Sequence, residues 1–188
     1  MNTRANLVAD MLLGSGQYRS GDRFYAILDT ARNDKILKRL ESSDEARECL
    51  FDSNAPPALR KVAPYLVELE AGSELANWIA ENGVGDFWGV FFGSSAEMSL
   101  LKNHFRRFLK AVTPEGEILY FRFYDPRVLG RFLSTCRTDE LISFFGPVDA
   151  IVLEGAELSV LVQYSVKDGR LQERQRGWLA SADSQAAG

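Results

Sequence analysis

Short apolar runs alternate with amphipathic segments along most of this chain, and that alternation constrains its fold more than any other feature. The apolar runs occupy residues 24–29, 64–69, 87–92, 118–124 and 150–154. The segments between them carry apolar residues at helical spacing. Strands that alternate with helices are typical of a sheet covered by helices. We therefore predict an α/β fold with a mostly parallel or mixed sheet flanked by helices.

The last part of the sequence predicts a C-terminal antiparallel β-hairpin. Asp168-Gly169 is a turn pair that favours a short connection between strands at 158–165 and 170–176. A chain of 188 residues is long enough for one domain with a sizeable core and too short for two comfortable ones. We predict a single domain over 1–180 and a small, polar, flexible tail over 181–188.

The composition excludes several classes of protein. Hydrophobic residues make up 46% of the chain and charged residues 26%, as in ordinary globular proteins. The net charge of -4 argues against nucleic acid as the main partner, because phosphate binding favours a basic surface. We find no apolar run of membrane-spanning length and no signal peptide, so we expect a cytoplasmic protein without membrane insertion.

The sequence contains no complete catalytic motif. Phosphate-binding glycine loops, the G-x-S-x-G elbow and the H-E-x-x-H metal motif are all missing. The single histidine, His104, excludes multi-histidine metal sites. It lies beside the apolar stripe of a predicted helix, which favours a packed histidine over a catalytic base serving Ser94, Ser95 or Cys136. We predict no enzymatic activity, no cofactor and no metal.

Three charged residues interrupt the aromatic-rich segment 120–129. Arg122, Asp125 and Arg127 lie within or just after apolar sequence, and buried charges are costly unless they are paired. We place them near the carboxyl end of a central strand, where open α/β sheets bind ligands. An ion-pair network, with Asp125 also capping the next helix, is the favoured interpretation. An anion-binding or catalytic crevice is the alternative.

Two groups of residues could form interaction surfaces. Apolar residues at helical spacing predict a helix that Ser94 or Ser95 caps and that runs to Val112. Lys102, Arg106, Arg107 and Lys110 form a basic face on this helix, and that face is either solvated or a docking surface for an acidic partner. Most aromatic residues are expected in the core. Any left exposed would mark a protein-binding patch.

Four motifs in order carry a resemblance to a known family. They are Phe24-Tyr-Ala-Ile-Leu-Asp29; Ala63-Pro-Tyr-Leu-Val-Glu-Leu69; Trp88-Gly-Val-Phe-Phe-Gly-Ser94 with Leu101-Lys-Asn-His-Phe-Arg-Arg107; and Phe121-Arg-Phe-Tyr-Asp-Pro-Arg-Val-Leu129 with Phe132-Leu133. Together they resemble the bacterial domain-of-unknown-function 4123 family. The resemblance covers about 24–154, most of the chain.

The resemblance implies a function in the type VI secretion system. Members of the family are adaptor chaperones that bind a toxic effector in the producing cell and help to load it onto the VgrG spike or a PAAR tip protein. The expected partners are therefore an effector and a VgrG or PAAR protein. The resemblance also implies roles in partner binding or in shaping a groove for these residues: Tyr65, Trp88, His104, Arg107, Arg122, Asp125 and Arg127.

Two alternatives remain open at this stage. The first is a small α/β enzyme or regulator that binds an anionic ligand around Arg122 and Arg127, with Asp125 or His104 as acid or base. The second is an immunity-type binder. An enzyme would have a deep cavity with convergent polar groups, whereas a binding module would have a shallow groove with exposed aromatic residues.

Overall fold

The computed structural model describes residues 4–14, 23–113, 115–157 and 159–177. The predicted tail at 181–188 lies outside these ranges. The helices and strands follow one another in this order: α1 (Arg4–Leu13), β1 (Arg23–Asp29), α2 (Asp34–Glu41), β2 (Arg47–Cys49), α3 (Pro57–Arg60), β3 (Pro64–Glu70), α4 (Glu74–Gly83), β4 (Gly89–Gly93), α5 (Met98–Arg106), β5 (Lys110–Val112), β6 (Ile118–Tyr120), α6 (Pro126–Thr135), α7 (Thr138–Phe145), β7 (Ala150–Glu154), β8 (Val160–Lys167) and β9 (Arg170–Gly177).

Two antiparallel sheets organise the described residues. One has seven strands in the order β2-β3-β1-β4-β7-β8-β9, and the other is the two-stranded pair β5-β6. Every strand pairing within the described ranges is antiparallel. The prediction of a mostly parallel or mixed sheet is therefore wrong.

The error comes from the insertion of one strand between two others. β3 and β4 both pair with β1 and run opposite to it, so they run in the same direction as each other. α4 joins them as a helical crossover, which is the connection that parallel strands require. Their shared neighbour β1 separates them in the sheet. Alternation of strands and helices predicts the crossover but not the strand inserted between its two ends.

The predicted C-terminal hairpin is confirmed. β8 and β9 pair over their whole length, from Lys167 opposite Arg170 to Val160 opposite Gly177. Asp168 and Gly169 connect them with φ angles of 52° and 71°. A two-residue turn with both residues in the left-handed region matches the twist of the strands it joins, which explains the Asp-Gly pair. The hairpin extends the main sheet and forms one of its edges.

Helices cover both faces of the main sheet. On one face, α1, α2 and α4 pack against strand residues such as Ala26 and Leu28. On the other face, α5, α6 and α7 pack against residues such as Ile27 and Phe92. Burial on both faces explains why residues 24–28 of β1 and all of β4 are apolar. None of the described helices is both long and apolar enough to cross a membrane.

Two predicted elements end earlier than the sequence suggested. The helix predicted to run to Val112 ends at Arg106, and the chain then forms β5. The strand predicted over 118–124 ends at Tyr120, and the next residues turn, with the backbone N–H of Asp125 donating to the carbonyl of Arg122 at 3.0 Å. The charged residues of this segment therefore lie in a loop and at the start of α6, not on a central strand.

Candidate partner-binding surface

Arg122 pairs with an acid from the end of β1. Its Nη2 donates to Oδ2 of Asp29 over 2.6 Å, and the Asp29 carboxylate, only 2% exposed, also accepts from the backbone N–H of Ala31. Partial burial disfavours the Arg122 charge, but the bond to Asp29 outweighs it and raises the pKa of the guanidinium. The pair therefore ties the loop before α6 to the centre of the main sheet.

Asp125 caps α6 and pairs with Arg127. Its Oδ1 accepts from the Arg127 backbone N–H at 3.0 Å, and two further bonds of 2.9 and 2.6 Å come from the guanidinium. Burial raises the pKa of the Asp125 carboxyl, but the hydrogen bonds from Arg127 outweigh burial and hold that pKa below its usual value. The same guanidinium lies 5.1 Å above the Phe87 ring. Asp125 thus forms one of the ion pairs that the sequence allowed.

These two pairs bear on the anion-binding alternative. Each guanidinium is bound to a carboxylate that is almost fully buried. Breaking such a pair leaves a buried charge without compensation, which is strongly unfavourable. An anionic ligand would have to share or displace these carboxylates, so the geometry favours the ion-pair interpretation.

Glu154 is a buried acid that the sequence analysis did not single out. It ends β7, and its two carboxylate oxygens accept the backbone N–H groups of Gly85 and Phe87 at 2.7 and 2.9 Å. Burial raises the pKa of Glu154 to about 7, against the two N–H donors that favour the charged form. Phe87 has a φ of 54°, which is uncommon for a bulky residue. Glu154 therefore holds a turn that the chain does not adopt easily.

His104 is a packed histidine with both ring nitrogens bonded. Nε2 lies 2.7 Å from the carbonyl of Phe144, and Nδ1 lies 2.9 Å from Nη2 of Arg107. A carbonyl only accepts and a guanidinium only donates, so these partners specify a neutral ring protonated on Nε2. Burial lowers the pKa of His104 further. The ring links α5 to α7 and has no nucleophile among its bonded partners.

We expect His104 to titrate at a lower pH than the histidine of the unfolded chain, and to carry its proton on Nε2 when neutral. Two-bond nitrogen–proton NMR spectra report the tautomer and the charge, and this chain has only one histidine to assign. The unfolded protein in urea is the control, and its histidine should titrate near 6.5. A folded His104 that titrates there as well, or that carries its proton on Nδ1, would contradict the packed arrangement.

The seven residues implied by the family resemblance do not form one site. Arg122, Asp125 and Arg127 lie together at one end of the main sheet, and His104 with Arg107 forms a second group. Trp88 is buried in the core on the opposite sheet face, beneath Trp78. Tyr65 packs at the edge of that same core and donates to the carbonyl of Arg60. Most of these positions support the fold, and Arg122 reaches a surface groove.

An open groove lies beside Arg122. Its volume is about 500 Å³, and we call it the docking groove. Apolar side chains form most of its lining, and three cations, Arg106, Lys110 and Arg122, contribute to its wall. Its full lining is Leu50, Phe51, Asp52, Ala55, Leu59, Val62, Arg106, Leu109, Lys110, Tyr120, Arg122 and Tyr124.

The hairpin of β5 and β6 extends the apolar surface of the docking groove. Val112 is 71% exposed, Ile118 61% and Tyr120 66%, and these three residues share one face of the hairpin. Leu119, 53% exposed, lies on the other face. On the other side of the groove, Leu59 and Val62 are also exposed. Single exposed apolar residues are normal, but a contiguous group of large ones marks an interaction surface. Among the residues that the structure describes, the hairpin and the groove together form the strongest candidate surface.

The described residues contain no group of three or more His, Cys, Asp or Glu side chains arranged to hold a metal ion. The docking groove is open and mostly apolar, and two of the three cations at its wall are paired, Arg106 with Asp52 at 3.2 Å and Arg122 with Asp29. We therefore assign no cofactor-binding residues.

Comparison with known families identifies the chain. Residues 24–142 match the family described as Domain of unknown function (DUF4123), which is more than half of the chain. The chain belongs to this family. No curated protein and no solved structure gives a significant match. The resemblance inferred from the four motifs is thus confirmed for family membership, and the matched part of this DUF4123 protein runs from β1 into α7.

Two buried acids of the DUF4123 protein share a sequence signal, which is an acidic residue at the end of an apolar strand. Asp29 and Glu154 each end a run of apolar strand residues, and both prove to be almost completely buried. A charged residue that closes a buried strand needs a partner in the fold. That rule would have marked both positions as anchor points, although it could not have named Arg122 or the backbone of residues 85–87 as the partners.

Proposed function

We propose that this DUF4123 protein is an adaptor chaperone of type VI secretion. It binds a toxic effector in the cytosol of the producing cell and helps to load it onto a VgrG or PAAR spike protein. Membership of the family supports this role through the function that the resemblance implies. The observation that carries the proposal is the exposed apolar surface made by the docking groove and the β5–β6 hairpin.

The shape and chemistry of the docking groove favour an amphipathic helix of the effector as its occupant. A helix that binds a groove presents an apolar stripe to the groove floor. Leu109 and Tyr124 supply such a floor, and Tyr120 stands beside it as an exposed aromatic anchor. Lys110 forms no salt bridge among the described residues, although its charge acts on the nearby Asp52 carboxylate, so an acidic side chain flanking the helix stripe would complement the groove wall.

Binding of this kind accounts for a chaperone role without any chemical reaction. An effector helix with an exposed apolar stripe is prone to aggregate before secretion. A partner that covers the stripe stabilises the bound form by mass action. The spike protein would engage a different face of the adaptor, so that loading does not require the effector to leave first.

Tyr120→Asp tests the proposal. We expect it to weaken binding of the effector at least about tenfold, because it places a charge at the centre of the apolar surface. The tagged DUF4123 protein is first isolated from its native cytosol, and its partners are identified by mass spectrometry. The binary complex with the effector found there is then reconstituted, and its dissociation constant is measured for each variant.

Ile142→Asp is the matched control. Ile142 is 58% exposed on α7 and does not line the docking groove, so the same change there should leave binding within a few-fold of wild type. Recovery of no secreted toxin and no spike protein would overturn the proposed function. Equal effects of the two substitutions would overturn the assignment of the groove.

A further inference from the structure

The outer edge of β9 is unpaired in the part of the chain that the structure describes. β9 is the last strand of the seven-stranded sheet and has eight residues, all in continuous register with β8. An edge strand of this length presents a row of free backbone N–H and C=O groups. It contains no proline, and its unbroken register leaves no room for a bulge, two devices that commonly block pairing at sheet edges.

Basic side chains occupy one face of this edge. Arg174 lies opposite Gln163, and Arg176 lies opposite Leu161. Both pairs lie on the sheet face against which α1 packs. Arg170 lies opposite Lys167 on the same face. None of these four cations forms an ion pair with another described residue. We call Lys167, Arg170, Arg174 and Arg176 the basic stripe.

Protection against aggregation does not fully explain the basic stripe. Charges on an edge strand do discourage unwanted pairing. Mixed charges would serve that purpose, however, and this chain is acidic overall, with a net charge of -4. Like charges directly opposite each other, such as Lys167 and Arg170, destabilise a strand pair. An acidic partner would relieve that repulsion, and arginine can bind a carboxylate through two parallel hydrogen bonds.

We propose that β9 binds an extended acidic segment of a protein partner as an additional strand of the sheet. Backbone hydrogen bonds to the outer edge of β9 would hold the segment, as in other cases of strand addition. Side chains on one face of a strand recur every second residue, roughly 7 Å apart. The segment would therefore carry Asp or Glu at alternate positions, facing the basic stripe. The family match ends at residue 142, before β9, and this site does not depend on the adaptor role.

A pair of peptides tests this site. One has eight residues with glutamate alternating with threonine, and the other has the same composition with its glutamates in one block. We expect the alternating peptide to bind at least about tenfold more tightly, because only it aligns its carboxylates with one face of β9. Binding is measured by calorimetry, and hydrogen exchange should show slower exchange at every second amide of β9.

Charge-reversed variants supply the second part of the test. Arg174→Glu with Arg176→Glu should weaken the alternating peptide at least about tenfold. Lys35→Glu with Lys61→Glu changes the net charge equally at exposed positions of other elements and should not. Tyr120→Asp should also leave peptide binding unchanged, which separates this site from the docking groove. Equal binding of both peptides, no protection of the β9 amides, or no binding at about 1 mM peptide would each overturn the proposal.

Discussion

Replacing Gly89 by alanine is expected to lower the free energy of unfolding by about 3 kcal/mol or more. A Cβ atom at this position would lie 2.1 Å from the carbonyl oxygen of Ile27 on the neighbouring strand. That oxygen belongs to the backbone and cannot rotate away, so β1 and β4 would have to separate. The separation would also displace Asp29, whose N–H donates to Trp88 at 2.8 Å, and with it the Arg122 ion pair. Urea denaturation followed by circular dichroism measures the loss.

Gly93→Ala is the control for this substitution. Gly93 lies in the same strand and is also buried, but the nearest atom to its added Cβ would be the Leu12 carbonyl oxygen at 3.6 Å. That distance is an ordinary contact, so the change should stay within about 1 kcal/mol of wild type. If the two variants unfold at the same urea concentration, the close approach of β1 and β4 at Gly89 is not a real constraint.

Local structure in this chain follows local sequence closely. Ser73 accepts the N–H of Ala76 at the start of α4, as its position before an amphipathic segment predicts. Asp125-Pro126 begins α6, and Asp168-Gly169 turns the final hairpin. Each of these signals acts over two to four residues, within the range where side-chain and backbone chemistry decide the conformation.

The direction of the strands depends on contacts that local patterns do not contain. The apolar pattern of β1 and β4 reports burial on both faces, and buried strands of this kind are usually parallel. Here β1 pairs with β3 across a long connection that holds α2, β2 and α3, and it lies between the two ends of the α4 crossover. Nothing in the 24–29 segment distinguishes this arrangement from a parallel neighbour.

The apolar spacing after α5 predicts more helix, where the structure instead forms part of the docking groove and β5. Leu109 and Val112 continue the apolar spacing of α5, and this predicted one long helix. In the structure Leu109 lies in the docking groove, whereas Val112 is mostly exposed on β5. Similarly, Arg122 could be predicted to need an acid, but Asp29 lies 93 residues away in the sequence. Both features depend on tertiary contacts that one sequence does not specify.

Glu154 should make the domain less stable as the pH rises through neutrality. Its pKa of about 7 in the fold exceeds its ordinary value of 4.5, so between these values the folded protein binds more protons than the unfolded chain. The contribution of Glu154 to the free energy of unfolding is therefore largest below about pH 4.5, and it falls as the pH rises to 7 and above. The full difference is on the order of 3 kcal/mol. Asp86 opposes ionisation of Glu154, whereas Arg32 and the two N–H donors favour it.

Glu154→Gln isolates this contribution. Glutamine keeps an oxygen that accepts from the backbone at Gly85 or Phe87 but carries no charge to desolvate, so its burial cost does not change with pH. We expect the free energy of unfolding of the variant, relative to wild type, to rise by on the order of 3 kcal/mol between about pH 5 and about pH 8.5. Urea denaturation at the two pH values measures both proteins. The contribution of His104, which favours folding above about pH 6.5, is common to both and cancels in the difference.

Glu157→Gln provides the matched comparison, because Glu157 is exposed in the loop after β7 and bonds to no described backbone group there. Its pH profile should follow that of wild type. If Glu154→Gln also follows wild type, the prediction is wrong. Glu154 would then be ionised in the fold already at low pH, and other interactions besides its two N–H donors would offset the cost of burying its charge. If the predicted difference is seen, the carboxyl at the end of β7 holds the strained turn at Phe87 at a cost that grows with pH. That turn also positions the Phe87 ring beneath the guanidinium of Arg127, which pairs with Asp125 at the start of α6.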